Sequence, residues 1–312
     1  MNTTTKPTGQ FCPLCHRVGS ICGARDGLYM LRQCDGGGAH ESVLLSWQHA
    51  CTAAYHQMYT SESYYHDQFQ RERGERAMPE RDVEHGAAAF HRCMMLRQYR
   101  DTHGDARWEG CVGPTPIDRN YATTLLDIGA GAGAFVSMAA AWGYAASGIE
   151  PNACMVEAGR RLGRDLRAGG WEDIDGRYDI LCAHDVIEHL IAPLEFLRCL
   201  ADHLEPGGLI VLDTPEWLCP AARREGIHWR HVRPLEHICL YSEGALRELC
   251  SRAGLEVEGL HRPLQGRIGK LALYLKKKEE EPSHVERSET SRALQVSETI
   301  KPNSFVFAQS LF

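Results

Sequence analysis

Three things are scarce in this 312-residue chain, and each scarcity removes a class of protein. Long apolar runs are missing: the longest, Phe135–Ala146, is interrupted by Gly143 and falls short of the ~20 residues of a membrane helix. Positive charge is not in excess, because 34 Lys and Arg stand against 41 Asp and Glu for a formal charge of −7. That balance is a poor basis for gripping a phosphate backbone, so no nucleic-acid partner is expected. Internal repeats are absent, which argues against a solenoid. The first residues, Met1–Gln10, are polar and lack the apolar core of a secretory leader. What remains is ordinary globular composition, with 43% hydrophobic and 8% aromatic residues. Thirteen cysteines, an odd number spread from Cys12 to Cys250, read as reduced thiols or metal ligands rather than a disulfide framework. A cytoplasmic location is expected.

The chain divides by composition. Residues 1–45 form a Cys- and Gly-rich head, and residues 46–120 a segment rich in His, Arg and Tyr. Within the latter, 79–100 reads as a helix with acids early and bases late, and the segment is expected to cap the site. From 121 to 277, short apolar runs alternate with helical stretches. Strands are expected at 123–128, 145–150, 178–183, 209–213, 255–260 and 271–275, and helices at 135–142, 153–162, 193–203 and 242–253. Such β-α alternation predicts an α/β fold with a mostly parallel, doubly wound sheet. Residues 278–312 are charged and Ser-rich, so a disordered tail is expected.

The most specific stretch is Leu125-Leu126-Asp127-Ile128-Gly129-Ala130-Gly131-Ala132-Gly133-Ala134-Phe135, which joins a strand to a helix. Glycines there allow a tight turn and leave room for a ligand against the backbone. Glu150 ends the next strand, where a carboxylate accepts hydrogen bonds from ribose hydroxyls. Asp127 separates two ligand classes. A carboxylate directly before the glycines would repel a dinucleotide pyrophosphate, whereas a sulfonium and an ammonium suit it.

In order along the chain, LLDIGAGAGAF, GIEPN, YDILCAHDVIEHL, LEPGGLIVLDTPE and EHICLYSEGALRELCSRAGLEV resemble the class I S-adenosylmethionine-dependent methyltransferases. The resemblance is greatest to the branch that includes ubiquinone-biosynthesis O-methyltransferases and many natural-product methyltransferases. It covers about half the chain, and its motifs are specific for the superfamily but not for the acceptor. It implies a Rossmann-like, seven-stranded sheet and S-adenosylmethionine as cofactor. Asp127, Gly129, Gly131 and Gly133 would cradle the methionine part and Glu150 the ribose, with Ala130, Phe135, Pro151 and His184 completing the pocket. One departure is visible. Many members read the adenine amino group with an Asp after the third strand, where Gly169-Gly170-Trp171 stands here. Trp171 is the candidate to face the adenine instead.

His184-Asp185-Val186-Ile187-Glu188-His189-Leu190 begins where the fourth expected strand ends, at the ligand-binding edge of an open α/β sheet. A helical turn from Asp185 would place residues 185, 188 and 189 on one side. Two carboxylates and an imidazole so grouped could take a proton from an acceptor, hold a divalent cation, or simply fix the loop through backbone bonds. His184 is a further candidate base. The loop Ile227–His231 and Leu235–His237 is expected to wall the acceptor pocket, with His237 as its site residue. Asp213-Thr214-Pro215-Glu216 lacks the Pro-Pro-aromatic element of DNA amino-methyltransferases, so a small-molecule acceptor is expected. The reaction could be O-, N- or C-methylation, a hydroxyl being favoured.

The head opens with a C-x-x-C knuckle, Cys12-Pro13-Leu14-Cys15, followed by Cys34; Gly37 stands where a zinc ribbon would place a fourth Cys. Structural zinc held by Cys12, Cys15 and Cys34 is expected, with His40 or Cys22 completing the set. Three rival readings share parts of this pattern. A nucleic-acid binder could use the cysteine head, yet no basic-aromatic stripe accompanies it. A nucleotide-dependent oxidoreductase shares the glycine loop but not Asp127, and a non-catalytic methyltransferase-like interaction protein would tolerate both departures.

Overall fold

The computed structural model describes residues 12–17, 19–25, 29–34, 43–46, 78–103, 123–233, 236–262 and 269–278. His40, Cys51, Cys111 and the expected tail from 279 onward lie outside these residues.

The central sheet forms around apolar runs too continuous to face water. Strand β4 (Thr124–Ile128) is almost wholly buried, as a central parallel strand must be. Its residues alternate between faces: Leu126 and Ile128 enter one core cluster, Leu125 another. Each such fully buried Leu contributes roughly 1.5–3 kcal/mol. Beside β4 lie β5 (Ala145–Glu150), β6 (Leu166–Ala168), β7 (Tyr178–His184) and β8 (Leu204–Pro215). Two further strands, β10 (Leu255–His261) and β11 (Lys270–Lys277), complete the sheet. The order is β10-β11-β8-β7-β4-β5-β6, parallel throughout except that β11 runs antiparallel to both β8 and β10. The expected six strands are thus all present, and the short β6 is the seventh.

Helices lie against both faces. One core cluster unites α1 (Met78–His103) and α2 (Ala134–Ala141) with Leu125, Ile180 and Val211. Another unites α4 (Pro193–Asp202) and α6 (Glu243–Arg252) with the opposite face. Local signals start two of the helices. Ser242 Oγ accepts from Ala245 N–H, and Asn152 Oδ1 caps α3 (Ala153–Arg161) through Cys154 and Met155. The Pro206-Gly207-Gly208 stretch, expected to precede a strand, instead lies inside β8. Pairing jumps from Tyr178–Leu204 to Ile180–Leu209, so Glu205–Gly208 bulges from the ladder.

The head adopts strands that no sequence pattern announced. β1 (Ser20–Arg25), β2 (Tyr29–Cys34) and β3 (Val43–Ser46) form an antiparallel sheet. Its fourth strand, β9 (Cys239–Tyr241), comes from the far end of the chain and pairs with β3. Between β8 and β9 the chain makes the short α5 (Pro220–Glu225). No described helix is long and apolar enough to cross a membrane. None of the eleven described cysteines forms a disulfide.

Candidate active site

The carboxyl ends of β4, β5 and β7 open onto a cavity of about 670 Å³, the size of a small-ligand pocket. The glycine loop forms its floor. Gly129 and Ala130 donate to Ile149 O at 2.9 and 3.1 Å, folding the loop back over β5. Gly129 has φ 72°, and a Cβ there would lie 2.8 Å from Val186 Cγ2, so only glycine fits without displacement. Glu150, expected to face a ribose, bonds to the backbone. Its Oε2 accepts Gly131 N–H and its Oε1 accepts Asn152 N–H, each at 2.9 Å. It therefore also holds the loop in shape, a role the sequence pattern did not disclose. Burial pushes its pKa up, against those two N–H donors.

Of the sequence-derived candidates, Asp127, Gly129, Ala130, Gly131, Phe135, Glu150, Pro151, Trp171, His184, Asp185 and His189 line the cavity. Gly133 does not. It has φ 78° at the start of α2 and packs against the Leu166 side chain, so its glycine serves the turn rather than a ligand. Asp127 is 4% exposed, and its Oδ1 has no hydrogen-bond partner among the described residues. Burial raises its pKa to about 7, opposed by Arg92 and reinforced by Asp213 and Glu150. An orphaned buried oxygen beside a glycine cradle fits a cationic ligand such as S-adenosylmethionine.

The expected helical turn from Asp185 is not formed. Asp185 has φ 56°, and only a 3₁₀ turn, Ile187–His189, follows. The break sends the three groups two ways. Asp185 turns to Lys270 and to Arg92, the latter at 3.3 Å. Arg92 also reaches Asp213 Oδ2 at 3.3 Å, and His184 Nδ1 donates to that same oxygen at 2.6 Å. Asp213 sits well below the usual carboxylate range: burial opposes ionisation, but Arg92, His184 and Lys270 outweigh it. His184 is shifted down by burial and by Arg92, so it is a neutral imidazole with Nε2 unprotonated. That Nε2 is buried and unpartnered among the described residues.

Glu188 and His189 turn instead toward His237. One ligand-capable atom from each of the three lies within 4.8 Å of the others. His189 Nδ1 donates to Glu236 O at 2.8 Å and His237 Nδ1 to His231 O at 2.6 Å, so each ring's Nε2 carries the lone pair. Glu188 is fully buried; Thr214 Oγ1 donates to its Oε2 at 2.9 Å, and Oε1 lacks a hydrogen bond among the described residues. Burial lowers His189 to about 4 and pushes His237 well down. Neither Glu188 nor His237 lines the cavity; His189 stands between. The expected loop wall fails likewise. Trp229 is 1% exposed within a core cluster with Trp217 and Leu31, and no described residue of 227–237 touches the cavity. Arg92, His85, Ala88 and Lys270 supply that wall instead. Arg92 and Lys270 escaped sequence reasoning because they lie in a distant helix and the last strand. Asp213 could have been found, since it nears the carboxyl end of β8 at the ligand-binding edge.

In the head, the Cys12, Cys15 and Cys34 sulfurs lie within 4.8 Å of one another. Cys22 is not in that group; it is exposed and donates to Leu31 O.

Comparison with known proteins agrees with this geometry. Residues 96–260, just over half the chain, match the family model described as a methyltransferase domain. An uncharacterized methyltransferase of Mycobacterium sp. (strain JLS) is 32% identical over 123 residues, covering 38% of this chain and 47% of the relative. A ubiquinone biosynthesis O-methyltransferase of Bradyrhizobium diazoefficiens is 34% identical over 98 residues, covering 29% and 39%. The chain thus spans less than half the length of these curated relatives. The crystal structure of magnesium protoporphyrin IX methyltransferase from Synechocystis shares the fold, with a TM-score of 0.51 at 13% identity over 73% of this chain and all of that one. Sheet order, glycine loop and family match together place this chain in the class I S-adenosylmethionine-dependent methyltransferase family.

Proposed function

We propose that the protein transfers a methyl group from S-adenosylmethionine to a hydroxyl of a small-molecule acceptor. One observation carries the reading: the buried, unpartnered Asp127 Oδ1 beside Gly129 and Gly131, with Glu150 at the next strand end. S-adenosylmethionine supplies an activated methyl on a sulfonium. Asp127 offsets the positive charge, Glu150 accepts ribose hydroxyls, and the half-buried Trp171 offers its face to the adenine in place of the missing Asp. His184, oriented by Asp213, presents a neutral nitrogen able to accept a proton. The hydroxyl acceptor agrees with the O-methyltransferase relative. Calorimetric titration tests the reading: saturable binding of S-adenosylmethionine and none of NADH is expected. A folded protein that binds only NADH, or neither, would overturn it.

A second reading concerns the acceptor side. Two Nε2 lone pairs and the buried Glu188 carboxyl converge there, and burial pushes Glu188 well above the usual carboxylate range, a cost that a divalent cation held among the three would offset. Glu188, His189 and His237 would hold it and an acceptor oxygen would complete its coordination. Titration with Mn²⁺ should show one site that His237→Ala removes; equal binding by the variant would leave the trio as loop-fixing residues. In the head, Cys12, Cys15 and Cys34 suit structural zinc, with His40 as the fourth ligand. Metal analysis of the purified protein and of Cys12→Ser decides this. The undisulfided thiols fit a cytoplasmic location.

A further inference from the structure

The cysteine head and the acceptor side meet at one three-residue strand. β9 is the last strand of the head's sheet, with Val43 opposite Tyr241, Leu44 opposite Leu240 and Leu45 opposite Cys239. On the other side of β3, Cys34 stands opposite Val43, so the thiol cluster is two strands from β9. The side chains interlock as well. Cys12, Leu14, Cys34, Val43 and Leu45 share a core cluster with Ile187, Cys239 and Tyr241. Arg252 of α6 donates to Leu14 O inside the C-x-x-C knuckle. The same short strand begins two residues after His237. Ile238 N–H donates to Glu188 O at 2.8 Å, and the His189 and His237 rings lie 4.9 Å apart. Three residues make too short a strand to hold its own register; β9 is fixed along its length by the β3 ladder on one side and at Tyr241 by Glu216 and Trp217 on the other, where Trp217 N–H donates to Tyr241 O at 2.7 Å. The same cluster runs on to Ile128 and Ile149 beneath the glycine loop and Glu150, where the loop and the carboxylate are held by their own bonds to Ile149 O and to Gly131 and Asn152 N–H.

We propose that the head is a positioning element for the acceptor side: through β3 and β9 it holds His237 against Glu188 and His189, and the integrity of the Cys12–Cys15–Cys34 cluster controls that contact while leaving the donor side alone. The proposal rests on the assignment of Glu188, His189 and His237 to the acceptor side. Its test therefore reads the two sides separately and needs no acceptor.

Cys34→Ser, with Cys15→Ser as the milder second variant, is compared with the unaltered protein by amide hydrogen exchange, by NMR of ¹³Cε1-labelled histidines, and by titration with S-adenosylmethionine. Exchange across 238–241 should rise at least about tenfold, with 125–131 unchanged. The His189 and His237 ring signals should move and the His184 signal should stay. Affinity for S-adenosylmethionine should stay within about twofold, less than 0.5 kcal/mol. Unchanged exchange at 238–241 in both variants would overturn the proposal, as would protection lost equally in the central sheet, since the head would then be an independent ornament or a global stabiliser. If the unaltered protein fails to bind S-adenosylmethionine while the exchange and ring signals respond as stated, the cofactor assignment fails and the coupling stands.

Discussion

Asp127→Asn should make the ligand-free protein more stable and a worse binder of S-adenosylmethionine. The carboxylate is buried with its Oδ1 unpartnered, and its pKa is raised from 3.8 to about 7. A raised carboxyl pKa means that folding favours the protonated form. The native state binds more protons than the unfolded state between pH 3.8 and 7, so stability falls as pH rises through that window. At 1.36 kcal/mol per pH unit, the ionised group costs the apo fold about 4 kcal/mol at pH 8. Asn removes the charge but still buries a polar amide, so about half of this, ~2 kcal/mol, should be recovered. For a sheet domain of this size that raises Tm by roughly 4–8 °C at pH 8, and the gain should vanish near pH 4. Binding carries the opposite sign. If the ligand needs the ionised form, only about a tenth of the unaltered protein is competent at pH 6, so its Kd should be about tenfold weaker there than at pH 8. Titration calorimetry in two buffers of different ionisation enthalpy should register release of nearly one proton at pH 6. The variant should bind weakly at both pH values and release none. A flat Kd between pH 6 and 8 in the unaltered protein, or a variant that binds equally and melts lower, would refute the reasoning.

Three other substitutions separate the remaining parts of the site. Glu150→Gln keeps the shape but turns one acceptor oxygen into a donor facing a backbone N–H; S-adenosylmethionine affinity should fall about 10–100-fold by calorimetry. Gly129→Ala meets both a left-handed φ and Val186, so it should lose about 1–3 kcal/mol in urea unfolding and bind no ligand at all. Asp213→Ala removes the group on which His184, Arg92 and Lys270 converge, leaving the half-buried Arg92 and Lys270 with Asp185 as an anion. It should cost about 1.5–3 kcal/mol in the same assay. Mutating Asp213 and Arg92 together should recover part of that loss; additive losses would show that the pair is not coupled.

Local physics made much of this protein readable in one dimension. Buried parallel strands must be continuous apolar runs, and a strand-to-helix turn over a ligand must be glycine. Residues 124–150 therefore announced both the sheet and the glycine-lined end of the cavity, whose wall includes Asp127 and Glu150. Ser242 and Asn152 start their helices locally, because capping is satisfied within three residues. The head's strands stayed hidden because they are only four to six residues long without clear alternation, and the strand that completes their sheet, β9, lies almost 200 residues away. The grouping of Glu188 and His189 with His237 stayed hidden for a related reason. The run Asp185–His189 looked like one helical face, but the positive φ at Asp185 splits it, and Asp185 pairs with Arg92 and Lys270 arriving from elsewhere. Sequence alone determined the fold class and the glycine loop, where hydrophobic burial and backbone geometry act between near neighbours. Only the tertiary structure decided which charges face which, because buried ion pairs and shared strand edges form between residues that the chain itself keeps far apart.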